Sequence, residues 1–485
     1  MTNPFIMVTA IDKNLPEYRA LFQAARRLPA REGVYLVGGC VRDLLINQPP
    51  ADYDLAVSGA PERYAQLLAA KFGGRPIAIG PDRHRLFRVV AGSRIFDLSP
   101  LVGDTIAADL EHRDFTINAM AFYLAGQHLV DPLGGLHDLQ TRTLKMASPR
   151  AFVNDPLRQL RAFRLAAQFG CRIEPDTLAA VKTLAGAIQT CAGERIRAEL
   201  FKLLGLKGAT QFIEQMADAG LLYDILPELA ALPDCSQNEH HSFDVWTHTL
   251  AACRQLETWL EPAAPDESAA AIQRAVAQVK HRKQVSLLKM ALLLHDVGKP
   301  ATRSADAGGK IHFYGHGRRG AALAVDICNR LKCSRVESEY IGTVVRQHNR
   351  PLFLYLLQSR NRLSARAITR FFIHCGDLTP AVLIHAIADY AGKRPVPGED
   401  LERYTRFIES LLTHYFDTHT RRQAEPGLLT GRDLITHFGL SPSPLFRKLL
   451  EKVETARLAG EISDKQQALD LVRSLLDHSA PPEKH

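Results

Sequence analysis

The spacing of hydrophobic positions changes along the chain, from strand-like alternation mixed with helical spacing at the start to helical spacing alone afterwards. Strand-like apolar runs occupy Val34–Val37, Tyr53–Val57, Leu86–Val90 and Arg94–Leu98. Helical apolar spacing occupies 13–29, Pro61–Phe72 and Phe115–Tyr123. This alternation predicts a small mixed α/β head over 33–145, with the helix at 13–29 packed on its outside.

From about residue 146 the strand pattern disappears, and amphipathic helices separated by Gly and Pro continue to the C-terminus. The chain is therefore predicted to be α+β, with an elongated, all-helical body after the head. Breaks in the pattern divide it into 1–145, 146–230, 231–395 and 396–485. Residues 262–284 begin Pro-Ala-Ala-Pro-Asp-Glu-Ser and then become rich in Ala and Lys, which predicts a loop or a solvated insertion.

Composition sets the broad class of the protein. A chain of 485 residues is long enough for two to four domains, each with its own core. The net charge of +8 makes a polyanionic partner plausible but does not establish one. The 8 cysteines are scattered, and the N-terminus has no signal-like apolar region, so we expect a soluble, cytoplasmic protein. The most apolar run, Val285–Leu294, is too short to cross a membrane.

A diglycine bend followed by an Asp-x-Asp pair forms the first candidate site. The run Val34–Val37 enters Gly38-Gly39, a helix-like segment leaves it, and a second strand carries Asp52 and Asp54. Side chains alternate along a strand, so both carboxylates project from one face and suit Mg²⁺. The glycines and the following helix start favour a phosphate beside that metal. The alternative is a Gly-Gly turn followed by a solvated acidic loop.

Two further residues could complete this site. Asp97 lies on a predicted neighbouring strand, where it could supply a third carboxylate or could simply be a solvated residue at the strand end. Arg42 falls in the first helical turn after Gly39 and can reach a phosphate as a forked donor. If Asp52 and Asp54 hold Mg²⁺, the reaction is two-metal nucleotidyl transfer onto a 3′-hydroxyl.

The segment 154–164 predicts a helix with one charged face. Pro156 suits the first helical position, with Asn154 or Asp155 as the N-cap. At about 100° per residue, the apolar arc contains Val153, Leu157, Leu160 and Phe163. The charged arc contains Asp155, Arg158 and Arg161, with Arg164 at its border.

Asp155 and Arg158, side by side, would complement the Watson–Crick edges of cytosine and adenine. An ionised aspartate only accepts hydrogen bonds and an arginine only donates them, which matches an exocyclic amine beside a ring acceptor. Guanine and uracil present the opposite polarity, and each unmatched group would cost about 1–3 kcal/mol. The pair could therefore select C and A without a template. The alternative is a capped amphipathic helix with a solvated basic face.

These motifs resemble the catalytic head, polymerase-β-like in fold, of the class II tRNA nucleotidyltransferase and bacterial poly(A) polymerase family. That family carries Gly-Gly, Val-Arg-Asp and Asp-x-Asp in the order found here. The resemblance continues in the same order at Arg113-Asp-Phe-Thr-Ile-Asn-Ala-Met120, Asp131-Pro-Leu-Gly-Gly135, Asp155–Arg164 and Glu194-Arg-Ile-Arg-Ala-Glu-Leu200.

The resemblance assigns nucleotide-binding roles residue by residue. The matching positions are Gly38, Gly39, Arg42, Arg113, Asp114, Asp155, Arg158, Arg161 and Arg164. In the family the arginine at Arg113 contacts nucleotide, and the aspartate at Asp114 can accept from a ribose 2′-hydroxyl. Two neighbouring positions depart from the family pattern: His112 stands where a second arginine is usual, and Asn154 stands where a glutamate is common.

A second group of residues resembles the metal-binding set of the HD phosphohydrolase superfamily. The matching residues are His248, the adjacent His295 and Asp296, and the distant Asp389. His316 and His348 match further histidines of fuller motifs and could hold a second metal. Imidazole and carboxylate together suit a divalent transition metal better than Ca²⁺, and Mg²⁺ is the other option.

The resemblance covers nearly the whole chain and implies a tRNA nucleotidyltransferase. It would build or repair the 3′-terminal CCA, or only its C or A part, from CTP and ATP. Its HD region would hydrolyse phosphomonoesters or 2′,3′-cyclic phosphates at damaged RNA ends. The implied partners are the tRNA 3′ end and the two nucleotides, with no membrane and no obligate protein partner.

Two other functions stay open. A template-free poly(A) polymerase belongs to the same class, but the segment Ile79-Gly-Pro-Asp-Arg-His-Arg-Leu-Phe-Arg88 lacks the arginine-rich run that those enzymes usually carry. An HD phosphohydrolase whose head only binds nucleotide or RNA belongs to another class, and the intact pair Asp52 and Asp54 argues against it.

Overall fold

The computed structural model describes residues 16–28, 33–80, 85–237, 243–261, 269–393 and 399–477. The chain forms two compact units, the first made of residues 1–206 and 212–225 and the second of residues 207–211 and 226–485. Parts of three predicted features lie outside the described residues: 13–15 and 29 of the first helix, 81–84 of the segment before Arg88, and 262–268 of the insertion.

A twisted sheet forms the centre of the first unit. Its strands are β1 (Val34–Val37), β2 (Tyr53–Val57), β3 (Pro76–Ile79), β4 (Leu86–Ala91), β5 (Arg94–Pro100), β6 (Ala121–Tyr123) and β7 (His128–Val130). Among the described residues they are ordered β3-β4-β5-β2-β1-β6-β7. Only β2 and β5 of these neighbours run parallel. This order places β1, which leads into the bend, beside β2, which carries Asp54, in the interior of the sheet.

The predicted strands are confirmed, but one predicted helix is wrong. β1 and β2 have the predicted bounds, and β4 and β5 extend slightly beyond theirs. Phe115–Tyr123 contains a single 3₁₀ turn at Thr116–Asn118 and then strand β6. Nearly every side chain in this segment is buried, and periodicity cannot separate a fully buried strand from a buried helix.

Helices pack around the sheet and continue beyond it to residue 225. They are α1 (Pro16–Ala25), α2 (Gly39–Leu45), α3 (Pro61–Phe72), α4 (Ile106–Glu111), α5 (Gly135–Gln140), α6 (Ala151–Asn154), α7 (Leu157–Phe169), α8 (Pro175–Leu184), α9 (Gly193–Leu204), α10 (Ala209–Asp218) and α11 (Leu221–Ile225). Two short strands, β8 (Thr143–Leu144) and β9 (Arg172–Ile173), pair in parallel beside α7, so the strand pattern ends later than residue 146.

A break at Asp155-Pro156 separates α6 from α7 and corrects the predicted apolar arc. Asp155 is extended, with φ −148° and ψ 99°, because a residue before proline is driven out of the helical region. Leu157, Leu160 and Phe163 are buried as expected, but Val153 lies on the other side of the break and is 64% exposed. Its inclusion in the arc was wrong.

Within its described residues, the second unit is helical apart from one small hairpin and the turns between elements. Its helices are α12 (Val245–Leu260), α13 (Ala270–His281), α14 (Val285–Leu294), α15 (Lys299–Thr302), α16 (His316–Arg330), α17 (Arg335–Gln347), α18 (Arg350–Gln358), α19 (Ala365–Cys375), α20 (Thr379–Ala391), α21 (Glu399–His414), α22 (Thr420–Ala424), α23 (Gly431–Phe438), α24 (Pro444–Ala459) and α25 (Lys465–Asp477). The hairpin strands are β10 (Ser304–Ala305) and β11 (Ile311–His312). The chain is thus α+β, with a mixed-sheet head and a helical body.

Over residues 270–281, helix α13 overturns the predicted loop or solvated insertion; residues 262–268 lie outside the described part of the chain. Ile272, Ala275 and Val279 are buried on one face of this helix, and that face packs on α20 and α21. The Ala- and Lys-rich composition conceals an apolar stripe at helical spacing, which is enough to dock the helix onto its neighbours.

In the part of the chain that the structure describes, one helical stretch is long and apolar enough to cross a membrane by length and composition. It covers Ala365–Ala391, and 72% of its most apolar window is buried inside the protein. The stretch is α19, a short turn and α20, and the last of these is buried along almost its whole length. Its apolarity is therefore accounted for by its place in the core of the second unit.

Candidate active sites

The diglycine bend lies directly against Asp54 and Arg113. β1 ends at Val37, Gly38 turns the chain with φ 75°, and α2 begins at Gly39. A Cβ atom on Gly38 would lie 3.1 Å from Arg113 Nη1 and 3.4 Å from Asp54 Oδ2. Positive φ also strains any L side chain, so this position requires glycine. The structure brings the bend, the acidic strand and a predicted nucleotide-binding arginine to one place.

Carboxylates converge where β2 meets β5. Asp54 and Asp97 are partner positions of these parallel strands, and Asp52 lies just ahead of β2. Burial raises the pKa of Asp54; Arg113 opposes the rise, while Asp97 and Asp52 add to it. A divalent cation would offset both the burial and the mutual repulsion. This all-oxygen group fits Mg²⁺.

Asp97 is already engaged by an arginine from the neighbouring strand. Arg88 Nε donates to Asp97 Oδ1 and Arg88 Nη2 donates to Asp97 Oδ2, each at 2.7 Å. The two residues are partners in the β4–β5 register. The predicted third carboxylate therefore stands beside Asp54 with both of its oxygens accepting from Arg88.

Arg42, the predicted phosphate donor, is held inside the first unit. Its Nη2 lies 2.6 Å from Asp43 Oδ1, and its Nη1 donates to Asn118 Oδ1 at 2.5 Å. Its guanidinium also stacks over the ring of Phe169, 4.1 Å from the ring centroid. With 8% of its side chain exposed, Arg42 ties α2 to the 3₁₀ turn after Arg113 and to the end of α7.

Arg161 links the charged face of α7 to the head. Its Nε lies 2.9 Å from Asp114 Oδ2, and Asp114 also accepts from Asn118 Nδ2 at 3.0 Å. Arg113, next in the chain, pairs with Asp109 Oδ2 through Nη2 at 2.8 Å. Arg161 keeps 44% of its side chain exposed, so it combines a fixed anchor with access to solvent. Arg161 and Asp114, both predicted to bind nucleotide, are thus paired directly, and Arg113 is held beside them by Asp109.

Asp155 and Arg158 are held by different partners. Arg158 donates through Nη2 to the carbonyl of His112 at 2.9 Å and through Nη1 to that of Arg113 at 3.1 Å. The Asp155 carboxylate pairs with Arg195 of α9 at 2.9 Å. The base-reading hypothesis has Asp155 and Arg158 side by side, facing one base. In the structure, Arg158 binds backbone carbonyls and Asp155 binds Arg195. Arg195 was given no role from sequence, because no spacing rule connects positions forty residues apart.

Arg164 lies in the contact between α7 and α9 and not at the border of an exposed face. Its Nε pairs with Glu199 Oε2 at 2.5 Å, and its Nη1 donates to Gln168 Oε1 at 2.7 Å. Its exposed fraction is 9%. Removing one partner of such a buried pair typically costs about 3–5 kcal/mol. Glu199 and Arg195 show how α9 supports the charged helix.

A buried cluster of histidine and aspartate lies in the second unit. His248 comes from α12, His295 and Asp296 follow α14, and Asp389 comes from α20. His248 Nε2 lies 2.9 Å from Asp389 Oδ1 and 3.3 Å from His295 Nε2. His295 Nε2 lies 3.1 Å from Asp296 Oδ2. The ligand atoms of His248, His295 and Asp296 all lie within 4.8 Å of one another, close enough to share one ion.

The second pair of predicted histidines meets the other oxygen of Asp296. Asp296 Oδ1 lies 3.5 Å from His316 Nε2 and 3.7 Å from His348 Nε2. These two nitrogens lie 3.3 Å apart. Within the described residues, Asp296 Oδ1 is buried without a hydrogen-bond partner, which is costly unless a cation binds there. Asp296 thus stands between two groups of ligands.

Backbone carbonyls fix the orientation of three of these rings. Nδ1 of His295, His316 and His348 each lies 2.7 Å from the carbonyl oxygen three residues earlier in the chain. A carbonyl only accepts, so Nδ1 carries the proton that it donates, and Nε2 faces the cluster, where it can bind a metal once it is unprotonated. Nitrogens so arranged, together with carboxylate oxygens, form a donor set that fits a divalent transition metal.

Burial and charge oppose each other within the cluster. Burial alone would lower the pKa of His295, but Asp296 and Asp389 outweigh it and raise that pKa to about 10. Burial would raise the pKa of Asp296, yet His295 and Lys299 hold it well below its usual range. Burial lowers the pKa of His316 to about 4. At pH 7 Asp296 is therefore ionised and His316 neutral, as metal ligands must be, whereas His295 would have to release its proton when a metal binds.

Two residues of this cluster were missed from sequence. Lys299 Nζ lies 2.6 Å from Asp296 Oδ2, and the helical spacing from Asp296 could have shown it. His385 lies one helical turn before Asp389, with its ring centroid 5.4 Å from that of His295. Within the described residues, neither ring nitrogen of His385 has a hydrogen-bond partner. His385 and Asp389 are four residues apart, which places them on the same face of a helix; this spacing could have shown His385 from the sequence.

Three protein-family models match successive parts of the chain. The poly A polymerase head domain matches residues 34–145. A probable RNA- and SrmB-binding site of polymerase A matches 170–232, and the HD domain matches 239–390. The head match contains the bend and the acidic cluster, and the HD match contains all six predicted ligands of the buried cluster.

Relatives and solved structures match nearly the whole chain. An A-adding tRNA nucleotidyltransferase of Deinococcus radiodurans is 34% identical over 92% of this chain and 96% of its own length. A CC-adding tRNA nucleotidyltransferase of Thermus thermophilus is 31% identical over 89% of this chain and 91% of its own. The Thermotoga maritima CCA-adding enzyme, solved with tRNA, covers 96% of each chain at 22% identity with a TM-score of 0.61.

Proposed function

The chain belongs to the tRNA nucleotidyltransferase family, and from that premise we propose that it adds or repairs the 3′-terminal CCA of tRNA, or its C or A part, from CTP and ATP. We divide the chain into a nucleotidyltransferase head (1–145), a neck that binds base and RNA (146–230), an HD region (231–395) and an RNA-binding tail (396–485). The tRNA 3′ end would be its partner, without a membrane or an obligate protein partner. The 8 free cysteines accord with a place in the cytoplasm.

The observation that carries this proposal is the contact of Asp54 with the Gly38 bend and Arg113. Asp52 and Asp54, with Asp97 as the third carboxylate, would hold Mg²⁺, which would supply Lewis-acid stabilisation to the attacking hydroxyl and the departing pyrophosphate. The backbone at Gly38-Gly39 would receive the triphosphate, because the bend has no side chain to keep phosphate away. The tRNA 3′-oxygen would attack the α-phosphorus, and the bond to pyrophosphate would break.

The charged face of α7 would choose the base. Arg161 is anchored on Asp114 beside the head, and Arg158 lies against the carbonyls of His112 and Arg113. If the triphosphate of a nucleotide binds at the bend, its base would therefore lie near these two arginines. Asp155 would have to leave Arg195 to accept from an exocyclic amine, an exchange of one exposed ion pair for one hydrogen bond.

The test offers purified protein four tRNA transcripts that end at the discriminator base, at C, at CC or at CCA. Each NTP is supplied alone and in combination, and the products are sequenced. Addition that stops at CC, at A or at CCA supports the proposal and defines the activity. A long A tail would indicate a poly(A) polymerase instead. Extension of none of them would indicate a head that only binds nucleotide.

The buried cluster supports a second activity, metal-dependent hydrolysis of phosphomonoesters or 2′,3′-cyclic phosphates. His248, His295, Asp296 and Asp389 would hold one divalent metal, a transition metal or Mg²⁺, and Asp296, His316 and His348 would hold another. The bound metals would supply an activated water and charge for the phosphate. Lys299 would hold Asp296 in place and carry positive charge to the site. Release of inorganic phosphate from RNA ending in a 2′- or 3′-phosphate tests this activity.

A further inference from the structure

An exposed pair of stacked aromatic rings stands next to the histidine cluster. Tyr314 lies two residues before His316 in the chain, and 78% of its surface is exposed. Its ring lies parallel to that of His312, with centroids 5.1 Å apart and planes inclined by 11°. One face of the tyrosine ring therefore rests on His312, and its high exposure leaves the opposite face to solvent.

The hairpin β10–β11 holds this pair in place. Asp306, in the hairpin turn, accepts from the backbone N–H of Lys310 at 2.9 Å and pairs with His312 Nε2 at 2.9 Å. It also accepts from the N–H of Gly308 at 3.0 Å. The His312 ring is therefore fixed at its edge by Asp306, while its face supports Tyr314. An exposed tyrosine gains no core packing in this position, so its own burial does not explain it.

The chain turns sharply between the rings and the cluster. Gly315 has φ 78°, a conformation that L side chains avoid. Phe313, on one side of Tyr314, lies under the Nζ of Lys299 at 5.5 Å from the ring centroid. His316, on the other side, turns its Nε2 toward Asp296. Residues next to Tyr314 thus face the cluster, and two Cα–Cα steps separate the platform from a ligand, at most about 7.6 Å.

We propose that Tyr314, backed by His312, is a stacking platform for the nucleobase of an RNA end whose ribose phosphate enters the histidine cluster. This inference rests on the proposed hydrolytic function and names its substrate as a nucleotide. Only a sugar ring separates a base from its 2′- or 3′-phosphate, which matches the short spacing of platform and cluster. Every base offers a π face, so such a contact binds RNA ends without sequence preference. Arg318 and Arg319, exposed on the first turn of α16, would add positive charge beside the RNA backbone.

The experiment compares Tyr314→Ala with Tyr314→Phe in the full chain. Phe353, another exposed aromatic residue of the second unit at 51% exposure, gives the matched control Phe353→Ala. Two esters are hydrolysed in steady state: cytidine 2′,3′-cyclic phosphate, which has a base, and glycerol 2-phosphate, which has none. In parallel, equilibrium dialysis in EDTA, which prevents metal-dependent hydrolysis of the ligand, measures binding of cytidine 2′-monophosphate. Any binding to the head is common to all three variants, so a difference between their isotherms reports on the second unit.

Tyr314→Ala should raise the KM for the cyclic nucleotide and the Kd for cytidine 2′-monophosphate roughly 5- to 100-fold, the range typical for loss of a base-on-aromatic stack. Tyr314→Phe and Phe353→Ala should match wild type, and glycerol phosphate hydrolysis should be unchanged throughout. The proposal would be overturned if Tyr314→Ala lowered the hydrolysis of both esters equally. It would also be overturned if this variant bound cytidine 2′-monophosphate with the wild-type Kd. If wild type hydrolyses neither ester, the hydrolytic function fails, and the dialysis still decides whether Tyr314 binds a base.

Discussion

Arg88 and Asp97 face each other across β4 and β5 and form a two-pronged ion pair, with both contacts at 2.7 Å. The same aspartate is the register partner of Asp54 on β2. Asp97 therefore belongs to the acidic cluster and also to an ion pair that neutralises it. If it binds Mg²⁺, the metal has to compete with the guanidinium for its oxygens.

Replacing Arg88 should therefore improve metal use in the head. We expect Arg88→Gln to lower the Mg²⁺ concentration for half-maximal nucleotide incorporation roughly two- to fivefold, since partly exposed ion pairs contribute little. A Mg²⁺ titration of tRNA extension measures this. The double variant Arg88→Gln/Asp97→Asn has no carboxylate to release and should not gain. An unchanged titration in Arg88→Gln would indicate that Asp97 stays outside the metal site.

The two proposed activities should separate cleanly by mutation. Asp52→Ala and Asp54→Ala should each abolish nucleotide incorporation and leave phosphate release intact, because they remove the oxygen ligands of the head alone. His295→Ala should do the reverse. Parallel assays of tRNA extension and phosphate release on the same preparations measure both effects. Residual extension of tRNA by the two head variants would refute the assignment of the catalytic metal.

Asp54 should make the head less stable when no Mg²⁺ is present. Burial raises its pKa, so the folded state holds the proton more tightly than the unfolded chain, and ionised Asp54 destabilises the fold. Asp54→Asn should then raise the melting temperature at pH 7 in EDTA by roughly 2–4 °C, as about 1 kcal/mol does in a unit of this size. The gain should vanish as the pH falls toward the ordinary aspartate pKa of about 4.

Thermal unfolding followed by circular dichroism between pH 4 and 8 measures this difference. Asp43→Asn is the comparison variant. Asp43 pairs with Arg42, so its replacement should lower the melting temperature instead of raising it. A melting difference that grows as the pH falls would contradict the sign of the Asp54 pKa shift. Added Mg²⁺ should stabilise wild type and shrink the gain.

Arg158 should govern the choice of nucleotide. Arg158→Lys keeps the charge but loses the planar fork, so selectivity for CTP and ATP over UTP and GTP should fall about 5- to 100-fold, as expected for one mismatched hydrogen-bonding group. Single-turnover incorporation of each NTP measures the ratio. Arg63→Lys makes the same chemical change on the exposed surface of α3 and should leave it unchanged. Equal selectivity in both variants would remove the base-reading role of Arg158.

Local chemistry in the sequence was enough to locate the bend and the acidic strand. Val34–Val37 and Tyr53–Val57 are short, apolar and bounded by turns, and the structure has these strands with the predicted bounds. The helix predicted at Phe115–Tyr123 is wrong because burial on both faces removes the alternation that identifies a strand. The strand of Asp97 neighbours the acidic strand as predicted, but the sequence could not show the parallel register that pairs Asp97 with Asp54, because register depends on long-range pairing.

Side-chain partners were the least predictable feature of either site. Helical projection placed Arg158, Arg161 and Arg164 on or near one face, but their partners come from distant segments: a carbonyl at His112, the carboxylate of Asp114, and Glu199 on α9. The histidine cluster was easier to predict, since its ligands follow the order along the chain that the HD superfamily has. His385 escaped notice because a lone buried histidine looks like a core residue.

Asp296 should control two metals at once, because its two oxygens face different ligand groups. Protein loaded with Mn²⁺ and freed of excess metal should bind two ions in the second unit. Asp296→Ala should lose both, whereas His348→Ala should lose only the ion held with His316. Elemental analysis by mass spectrometry gives the ion count, and head variant Asp52→Ala/Asp54→Ala as the common background excludes Mn²⁺ bound by the head. Retained circular dichroism would show that the fold survives. One ion kept by Asp296→Ala would mean that one of the two groups binds its metal without the shared carboxylate, which contradicts the bridging role.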